Sequence, residues 1–236
     1  MKHIVALSGG KDSTALALRL SEVEPRDYEY ICTPTGNEPP EMFEHWRKVG
    51  DLLGKPILPI SGGSLSGLID LQNALPNWRQ RWCTRMLKIE PYARWLTGNL
   101  PCTSYVGLRA DEPEREGGDY MDIPGVTQRF PMREWGWGES DVWAYLNSRG
   151  VAIPKRTDCL VCFWQRLIEW WEFWKQHPDT WLHWESVEER IGHTFRSESR
   201  DTWPASMKGL RERFELGDVP RDTRKKNQMQ CRVCRM

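Results

Sequence analysis

Apolar residues follow two alternating periodicities along the first 150 residues of this 236-residue chain. Short apolar runs bounded by glycine, proline or polar residues predict buried β-strands, and apolar residues three or four positions apart predict amphipathic helices. The predicted strands cover 4–7, 28–32, 56–60 and 104–108. One predicted helix begins at residue 11, two cover 41–53 and 88–96, and a fourth begins at residue 141. Strands that alternate with helices predict an α/β fold, a doubly wound parallel sheet whose ligands bind at the carboxyl ends of the strands.

The pattern changes near residue 151. Six tryptophans lie between 164 and 184, mostly at helical spacing: Trp164, Trp170, Trp171, Trp174, Trp181 and Trp184. We therefore divide the chain into an α/β domain at 1–150 and a helical, Trp-rich and Cys-containing region at 151–236. An aromatic stripe of this kind is most often packed core. Stacking on the bases of single-stranded nucleic acid is the alternative.

Composition is typical of a globular protein, with 39% hydrophobic and 28% charged residues. Basic and acidic residues number 33 each, so the net charge argues neither for nor against a nucleic-acid partner. The stretch 221–236 is nevertheless basic and is a candidate nucleic-acid contact. The chain has no apolar run of about 18 residues, and its first residues enter a strand without a signal sequence. We therefore expect a cytoplasmic protein with no membrane partner.

Four of the seven cysteines form two C-x-x-C pairs, Cys159 with Cys162 and Cys231 with Cys234. Without a secretion signal, this spacing predicts a metal or cluster site and not a set of disulfides. Cys32 and Cys102 have no partner at motif spacing, and we expect them to be buried as small apolar side chains.

The first predicted strand runs into a glycine-rich loop. It reads S-G-G-K-D-S and comprises Ser8, Gly9, Gly10, Lys11, Asp12 and Ser13. Backbone N–H groups at the start of the following helix attract an anion, and the glycines let the backbone approach a phosphate closely. Lys11 adds a positive charge, whereas Asp12 is a candidate Mg²⁺ ligand and also a candidate helix cap. The loop is too short for the Walker A motif.

This loop resembles the PP-loop, S-G-G-x-D-S, of the ATP pyrophosphatases in the adenine nucleotide α-hydrolase-like superfamily, whose fold is Rossmann-like. Three further segments, in the same order, resemble the phosphoadenosine phosphosulfate (PAPS) reductase family. Residues 35–41 are similar to its D-T-G-x-x-x-P-E element, and residues 107–112 to its G-x-R-x-x-E element. Residues 81–91 resemble its C-x-x-x-x-K-x-x-P element. They are closer still to the R-W-C-T-x-x-L-K-I-x-P version of the sulfurtransferases that place phosphorothioates in DNA.

The resemblance implies which residues bind and act on the nucleotide. It implies nucleotide contacts from the six loop residues and from Thr35 and Gly36, and catalytic roles for Lys11, Asp12, Lys88 and Arg109. Arg109 offers a planar fork of donors that suits phosphate or sulfate oxygens. Lys88 would add a positive charge at the same anion.

The resemblance also implies a metal centre, for which two arrangements remain open. One is a [4Fe–4S] cluster held by Cys83, Cys159, Cys162 and either Cys231 or Cys234. The other is a structural Zn²⁺ on the two C-x-x-C pairs, which would leave Cys83 free. The chain departs from the adenylyl-sulfate reductase pattern, because Trp82 stands where those enzymes have a second adjacent cysteine.

The main functional hypothesis is ATP-dependent sulfur transfer. AMP would be placed on an acceptor with release of pyrophosphate, and sulfur from a donor or redox partner would then displace AMP. Nucleic acid is one candidate acceptor, and the oligomeric state is left open. The alternative is a reductase of PAPS or adenylyl sulfate that uses a C-terminal cysteine nucleophile, although the E-C-G-x-H segment of strict PAPS reductases is absent. A third hypothesis is a non-catalytic nucleotide- or nucleic-acid-binding module with structural zinc.

Overall fold

The computed structural model describes residues 1–115 and 122–223 of the chain. Its centre is a five-stranded, all-parallel sheet in the order β3-β2-β1-β4-β5. The strands are β1 (Lys2–Ala6), β2 (Tyr28–Cys32), β3 (Ile57–Pro59), β4 (Cys102–Tyr105) and β5 (Val126–Arg129). The chain winds outward from β1 in both directions, so a crevice opens between the carboxyl ends of β1 and β4. The predicted doubly wound parallel sheet is confirmed.

Helices cover both faces of the sheet. In the first part of the chain they are α1 (Lys11–Val23), α2 (Pro40–Leu53), α3 (Leu65–Gln72), α4 (Trp82–Thr84), α5 (Glu90–Thr97), α6 (Pro131–Glu134) and α7 (Glu139–Ser148). Successive side chains of a strand point to opposite faces. Accordingly, Val5 of β1 packs in a cluster with Leu16 of α1 and Val142 of α7, whereas Ile4 packs in another with Leu96 of α5.

The position of β4 corrects the predicted strand at 104–108. The strand begins two residues earlier, and all four of its side chains are buried. Its sequence, Cys-Thr-Ser-Tyr, is not an apolar run. The polar side chains can be buried because they are hydrogen-bonded inside the protein. The Ser104 hydroxyl, for example, lies 2.9 Å from the hydroxyl of Tyr92. Edge strand β5 lies in a segment for which the apolar pattern predicted no element, since β5 has only one apolar residue. Helix α3 also lies in a segment for which no element was predicted.

The helix predicted at 88–96 begins earlier, at Trp82. Between α4 and α5 the chain forms a π-helical turn, Arg85–Ile89, in which the N–H of Glu90 donates to the carbonyl of Arg85. Pro91 follows directly and has no N–H to donate to the preceding turn. The wider turn places Cys83 and Lys88 on one continuous helical segment, which matters for the site described below.

The described part of the C-terminal region contains three helices: α8 (Leu167–Gln176), α9 (Pro178–Ile191) and α10 (Met207–Glu215). Trp170, Trp181 and Trp184 are buried, and the other three tryptophans of the stripe are partly buried. The interpretation of the stripe as packed core is therefore confirmed. The same cluster includes Leu65 and Ile69 of α3, so this core crosses the boundary proposed near residue 150.

Glu188 of α9 is a buried acid within this aromatic region, 5% exposed. Its two carboxyl oxygens accept the N–H groups of Phe195 at 2.8 Å and Met207 at 2.6 Å, which fixes the connection between α9 and α10. Burial disfavours the charged carboxylate and raises the pKa of Glu188 from its ordinary value of 4.5 to about 7, although these hydrogen bonds act in the opposite direction.

This raised pKa predicts a pH-dependent stability. A carboxyl group that binds its proton more tightly in the folded protein lowers the free energy of unfolding as pH rises from about 4.5 to about 7. The total loss is on the order of 3 kcal/mol. Chemical denaturation between pH 5 and pH 8 should show this loss in the unaltered protein and a flatter profile in Glu188→Gln. The neighbouring Glu189→Gln is the matched control, because Glu189 is exposed. Parallel profiles for Glu188→Gln and the unaltered protein would contradict the assignment.

Candidate functional site

The glycine-rich loop connects β1 to α1 and is closed by its own serines. The Ser8 and Ser13 hydroxyls lie 3.0 Å apart, and the N–H of Gly9 donates to the Ser13 hydroxyl at 3.2 Å. The N–H of Gly10 points to the Ser8 hydroxyl at 3.4 Å. Gly9 has a φ of +87°, a conformation that favours glycine. The loop is therefore held in shape before any ligand binds, with Lys11 at the start of the helix.

Helix α2 supports the loop from the side. The indole N–H of Trp46 donates to the Ser8 carbonyl at 3.0 Å. His45 is buried, lies 3.5 Å from the Thr14 hydroxyl and hydrogen-bonds to the backbone of Gly9. Burial is the main reason why the pKa of His45 is lowered, so the ring is neutral at pH 7. A Cβ atom at Gly9 would lie 2.4 Å from the Trp46 ring nitrogen, so α2 leaves no room for a side chain there.

Two buried cations share one carboxylate beside the loop. The Lys11 ammonium lies 2.8 Å from Asp12, and the Arg109 guanidinium lies 3.2 Å from the same group. Arg109 follows β4 and is only 5% exposed. It also contacts Asp111 at 2.7 Å and Glu112 at 3.2 Å. A phosphate or sulfate that bound here would compete with these carboxylates for the same donors.

The protonation states in this network follow from the ion pairs. Burial opposes ionisation of Arg109, but the hydrogen bond to Asp111 and the charges of Asp12 and Glu112 outweigh it and raise the pKa of Arg109. Burial also opposes ionisation of Asp111, but the hydrogen bonds from Arg109 and from the N–H of Glu139 outweigh it and lower the pKa of Asp111. Both groups are therefore charged at neutral pH, and the network remains intact.

Lys11, Asp12, Arg109 and Glu112 line a cavity of about 240 Å³ at the carboxyl ends of β1, β2 and β4. Five of the six loop residues line it (Ser8, Gly10, Lys11, Asp12 and Ser13), together with Lys88 and Arg109. Ile31, Tyr92 and Leu108 give it an apolar portion. A cavity with phosphate-binding donors at one side and apolar side chains at another suits a nucleotide.

Several polar residues besides the candidate site residues named above also line this cavity: Thr33, Glu38, Glu112, Arg115 and Thr157. Thr33 and Glu38 flank the predicted pair Thr35 and Gly36, and Glu112 lies in the quoted G-x-R-x-x-E element, so the motifs contained a signal for these three. Nothing in the local sequence indicated Arg115 or Thr157, which reach the cavity from loops. Arg115 pairs with Glu112 at 2.8 Å.

The segment 35–38 forms a compact turn. The Glu38 carboxylate accepts the N–H and the hydroxyl of Thr35, both at 2.7 Å. Thr35 lines a smaller neighbouring cavity and Gly36 packs against Ser64, whereas Glu38 lines the nucleotide-sized cavity. The side-chain carbonyl of Asn37, in the same turn, accepts the indole N–H of Trp184 at 3.2 Å. The turn therefore links the sheet to the C-terminal helices.

Cys83, Cys159 and Cys162 line that smaller cavity, of about 20 Å³, together with Thr35 and Lys88. Burial, followed by the proximity of Cys162, raises the pKa of Cys83. The hydrogen bond with Cys159, followed by burial, raises the pKa of Cys162. The tertiary structure thus brings together three predicted ligands that lie up to 79 positions apart in the sequence.

The arrangement does not by itself amount to a metal centre. Within residues 1–115 and 122–223, no group of three or more histidine, cysteine or acidic side chains is arranged to hold a metal ion. Cys231 and Cys234 lie outside the described residues; the predicted cluster requires one of them and the predicted zinc site requires both. We therefore assign no catalytic step to a cluster or to zinc.

The two remaining cysteines are buried, as expected for small apolar side chains. Burial raises the pKa of Cys32 to about 12, and that of Cys102 is also raised by burial.

Among the helices of the described residues, none combines the length and apolar character needed to span a membrane.

Comparisons with known proteins identify the family of the chain. The model of the phosphoadenosine phosphosulfate reductase domain family matches residues 2–155. An uncharacterized protein of Methanocaldococcus jannaschii is 24% identical over 196 residues, which cover 78% of this chain but only 41% of that protein. The phosphate complex of PAPS reductase from Candida auris has 16% identity and a TM-score of 0.47, over 66% of this chain and 76% of the other. The match of the family model across the sheet, the loop and Arg109 shows that the chain belongs to the phosphoadenosine phosphosulfate reductase domain family.

Proposed function

We propose that the protein is an ATP-dependent sulfurtransferase of this family. Family membership supports sulfur chemistry that involves an adenine nucleotide. The observation that favours ATP is the complete S-G-G-K-D-S loop, closed by its serines and placed with Lys11 and Arg109 around one cavity. This concentration of hydrogen-bond donors suits pyrophosphate as a leaving group, because pyrophosphate develops more negative charge than a sulfate ester does by itself.

In the first step, an oxygen of the acceptor attacks the α-phosphorus of ATP. The bond between this phosphorus and the bridging oxygen breaks, and pyrophosphate leaves with the electron pair. The loop N–H groups and Lys11 would stabilise the charge on pyrophosphate. Asp12 offers carboxylate oxygens at the edge of the cavity, a donor type that fits Mg²⁺ bound to phosphates.

In the second step, a sulfur nucleophile from a donor displaces AMP from the acceptor. Arg109 and Lys88 both line the cavity, Arg109 from the loop after β4 and Lys88 from the π-helical turn. They would hold the anionic groups of the adenylylated acceptor. Lys88 also lines the cysteine cavity, so this residue adjoins both the nucleotide and the thiols.

Removing the loop cation tests the assignment of ATP. We expect Lys11→Ala to lower the basal release of AMP and pyrophosphate from Mg²⁺–ATP, with water as acceptor, by about a hundredfold, because charge on the leaving group loses a buried donor. Lys48→Ala is the matched control, since Lys48 is an exposed lysine of α2 paired with Glu44. Product analysis by anion-exchange chromatography provides the measurement. Release of sulfite from PAPS by protein that does not cleave ATP would overturn the proposal in favour of the reductase.

The support that α2 gives to the loop can be tested separately. Trp46→Phe keeps an aromatic ring but removes the hydrogen bond to the Ser8 carbonyl, so we expect ATP binding to weaken by about fivefold to tenfold. Trp95→Phe is the matched control, because the buried Trp95 indole N–H has no hydrogen-bond partner among the residues that the structure describes. Isothermal titration calorimetry of both variants measures the effect. Equal losses in the two variants would mean that the Trp46 hydrogen bond does not position the loop.

A further inference from the structure

Trp78 differs from every other tryptophan of the chain. All 14 tryptophans lie within the described residues, and Trp78 is the one that is exposed, at 53%. Burying a tryptophan is strongly favourable, so an exposed one on an ordered loop suggests a partner. Five of the six tryptophans of the 164–184 stripe, by contrast, belong to the C-terminal core or pack against it.

The loop that carries Trp78 is held in a fixed shape. The side-chain oxygen of Asn77 accepts the N–H groups of Arg79 at 2.9 Å and Gln80 at 3.0 Å, and the N–H of Asn77 donates to the Gln80 carbonyl at 3.2 Å. The Arg79 guanidinium lies 4.7 Å from the centre of the Trp78 ring. The loop thus displays an aromatic ring and a guanidinium group together, which is a combination suited to stacking on a base.

Within the segment that carries this loop all charged side chains are basic, although Asp70 and Glu90 flank it and Glu90 pairs with Arg85. Residues 71–89 contain Arg79, Arg81, Arg85 and Lys88 and no acidic residue. These four leave 29 basic residues against 33 acidic ones in the rest of the chain. A local excess of positive charge in a chain whose net charge is zero indicates an anionic partner at this surface.

The same segment leads to the proposed active site. Pro76 lines the cysteine cavity, and so do Cys83, Thr84 and Lys88. Thr84 and Lys88 also line the nucleotide-sized cavity. A polymer lying along the segment from Trp78 would therefore reach the wall that the two cavities share.

We propose that the segment 76–88, hereafter the Trp78 segment, is a docking surface for single-stranded nucleic acid, which is the acceptor in the sulfur transfer. An unpaired base stacks with Trp78 and Arg79. Neighbouring phosphates contact Arg79 and Arg85, whose side chain is 67% exposed and pairs with Glu90 at 3.3 Å, so that a phosphate would compete with this carboxylate. An unpaired base is required because the faces of paired bases are covered within a duplex. The role as acceptor rests on the function proposed above, whereas the binding does not.

Fluorescence anisotropy with a labelled 20-nucleotide single strand of mixed sequence, without ATP, tests the surface on the full-length protein. We expect Trp78→Ala to raise the Kd about tenfold and Trp78→Phe to change it less than threefold, because phenylalanine retains a stacking face. Arg79→Ala should weaken binding and reduce its salt dependence. Arg47→Ala is the matched control, as an exposed arginine of α2 paired with Asp51, and should bind like the unaltered protein.

Three outcomes would overturn the proposal. They are undetectable binding by the unaltered protein, equal affinity of Trp78→Ala and the unaltered protein, and equally good competition by poly-glutamate, which would indicate an acidic protein partner. Calorimetry with ATP on Trp78→Ala separates this proposal from the previous one, since Trp78 lies outside the nucleotide cavity. Loss of strand binding with unchanged ATP binding supports the surface, whereas failure of ATP to bind the unaltered protein would overturn the proposed function alone.

Discussion

The carboxylate of Asp12 lies between two buried cations that come from opposite sides of the crevice. Lys11 starts the helix after β1, and Arg109 starts the loop after β4. Buried charges are costly unless they are paired, so this shared carboxylate lets two cations occupy the interior of the site without a ligand. It also joins the two strands at the point where their winding directions diverge, so the shape of the cavity depends on it.

The same pairing determines how the site can respond to a nucleotide. The donors of Arg109 are directed to Asp12, Asp111 and Glu112. A phosphate that binds must replace carboxylate oxygens or bring a cation that Asp12 can bind. Under the proposed function, a bare anion would meet repulsion from the carboxylates, whereas an anion that carries its own Mg²⁺ would meet less.

The turn at 35–38 has a structural importance that its place in a nucleotide motif does not suggest. The side-chain carbonyl of Asn37 accepts the indole N–H of Trp184, and the backbone carbonyl of Asn37 accepts the N–H of Leu160. Leu160 lies between Cys159 and Cys162, two cysteines of the smaller cavity. The nucleotide-sized cavity and the cysteine cavity are consequently fixed to one another through hydrogen bonds and through their shared wall. Sulfur chemistry at one cavity and nucleotide chemistry at the other would require such a fixed relation.

The sequence by itself determined the alternation of strands β1 to β4 with helices, and it predicted the parallel sheet. It also identified the loop 8–13 and Arg109, because each depends on residues close together in the chain. Periodicity could not locate β4, whose buried polar groups are satisfied by partners such as Tyr92. Only the tertiary structure placed Cys83 beside Cys159 and Cys162, brought Arg115 and Thr157 to the cavity, and distinguished Trp78 from the buried tryptophans. Burial and long-range pairing depend on how distant segments pack, and a local pattern of residue types contains no information on that packing.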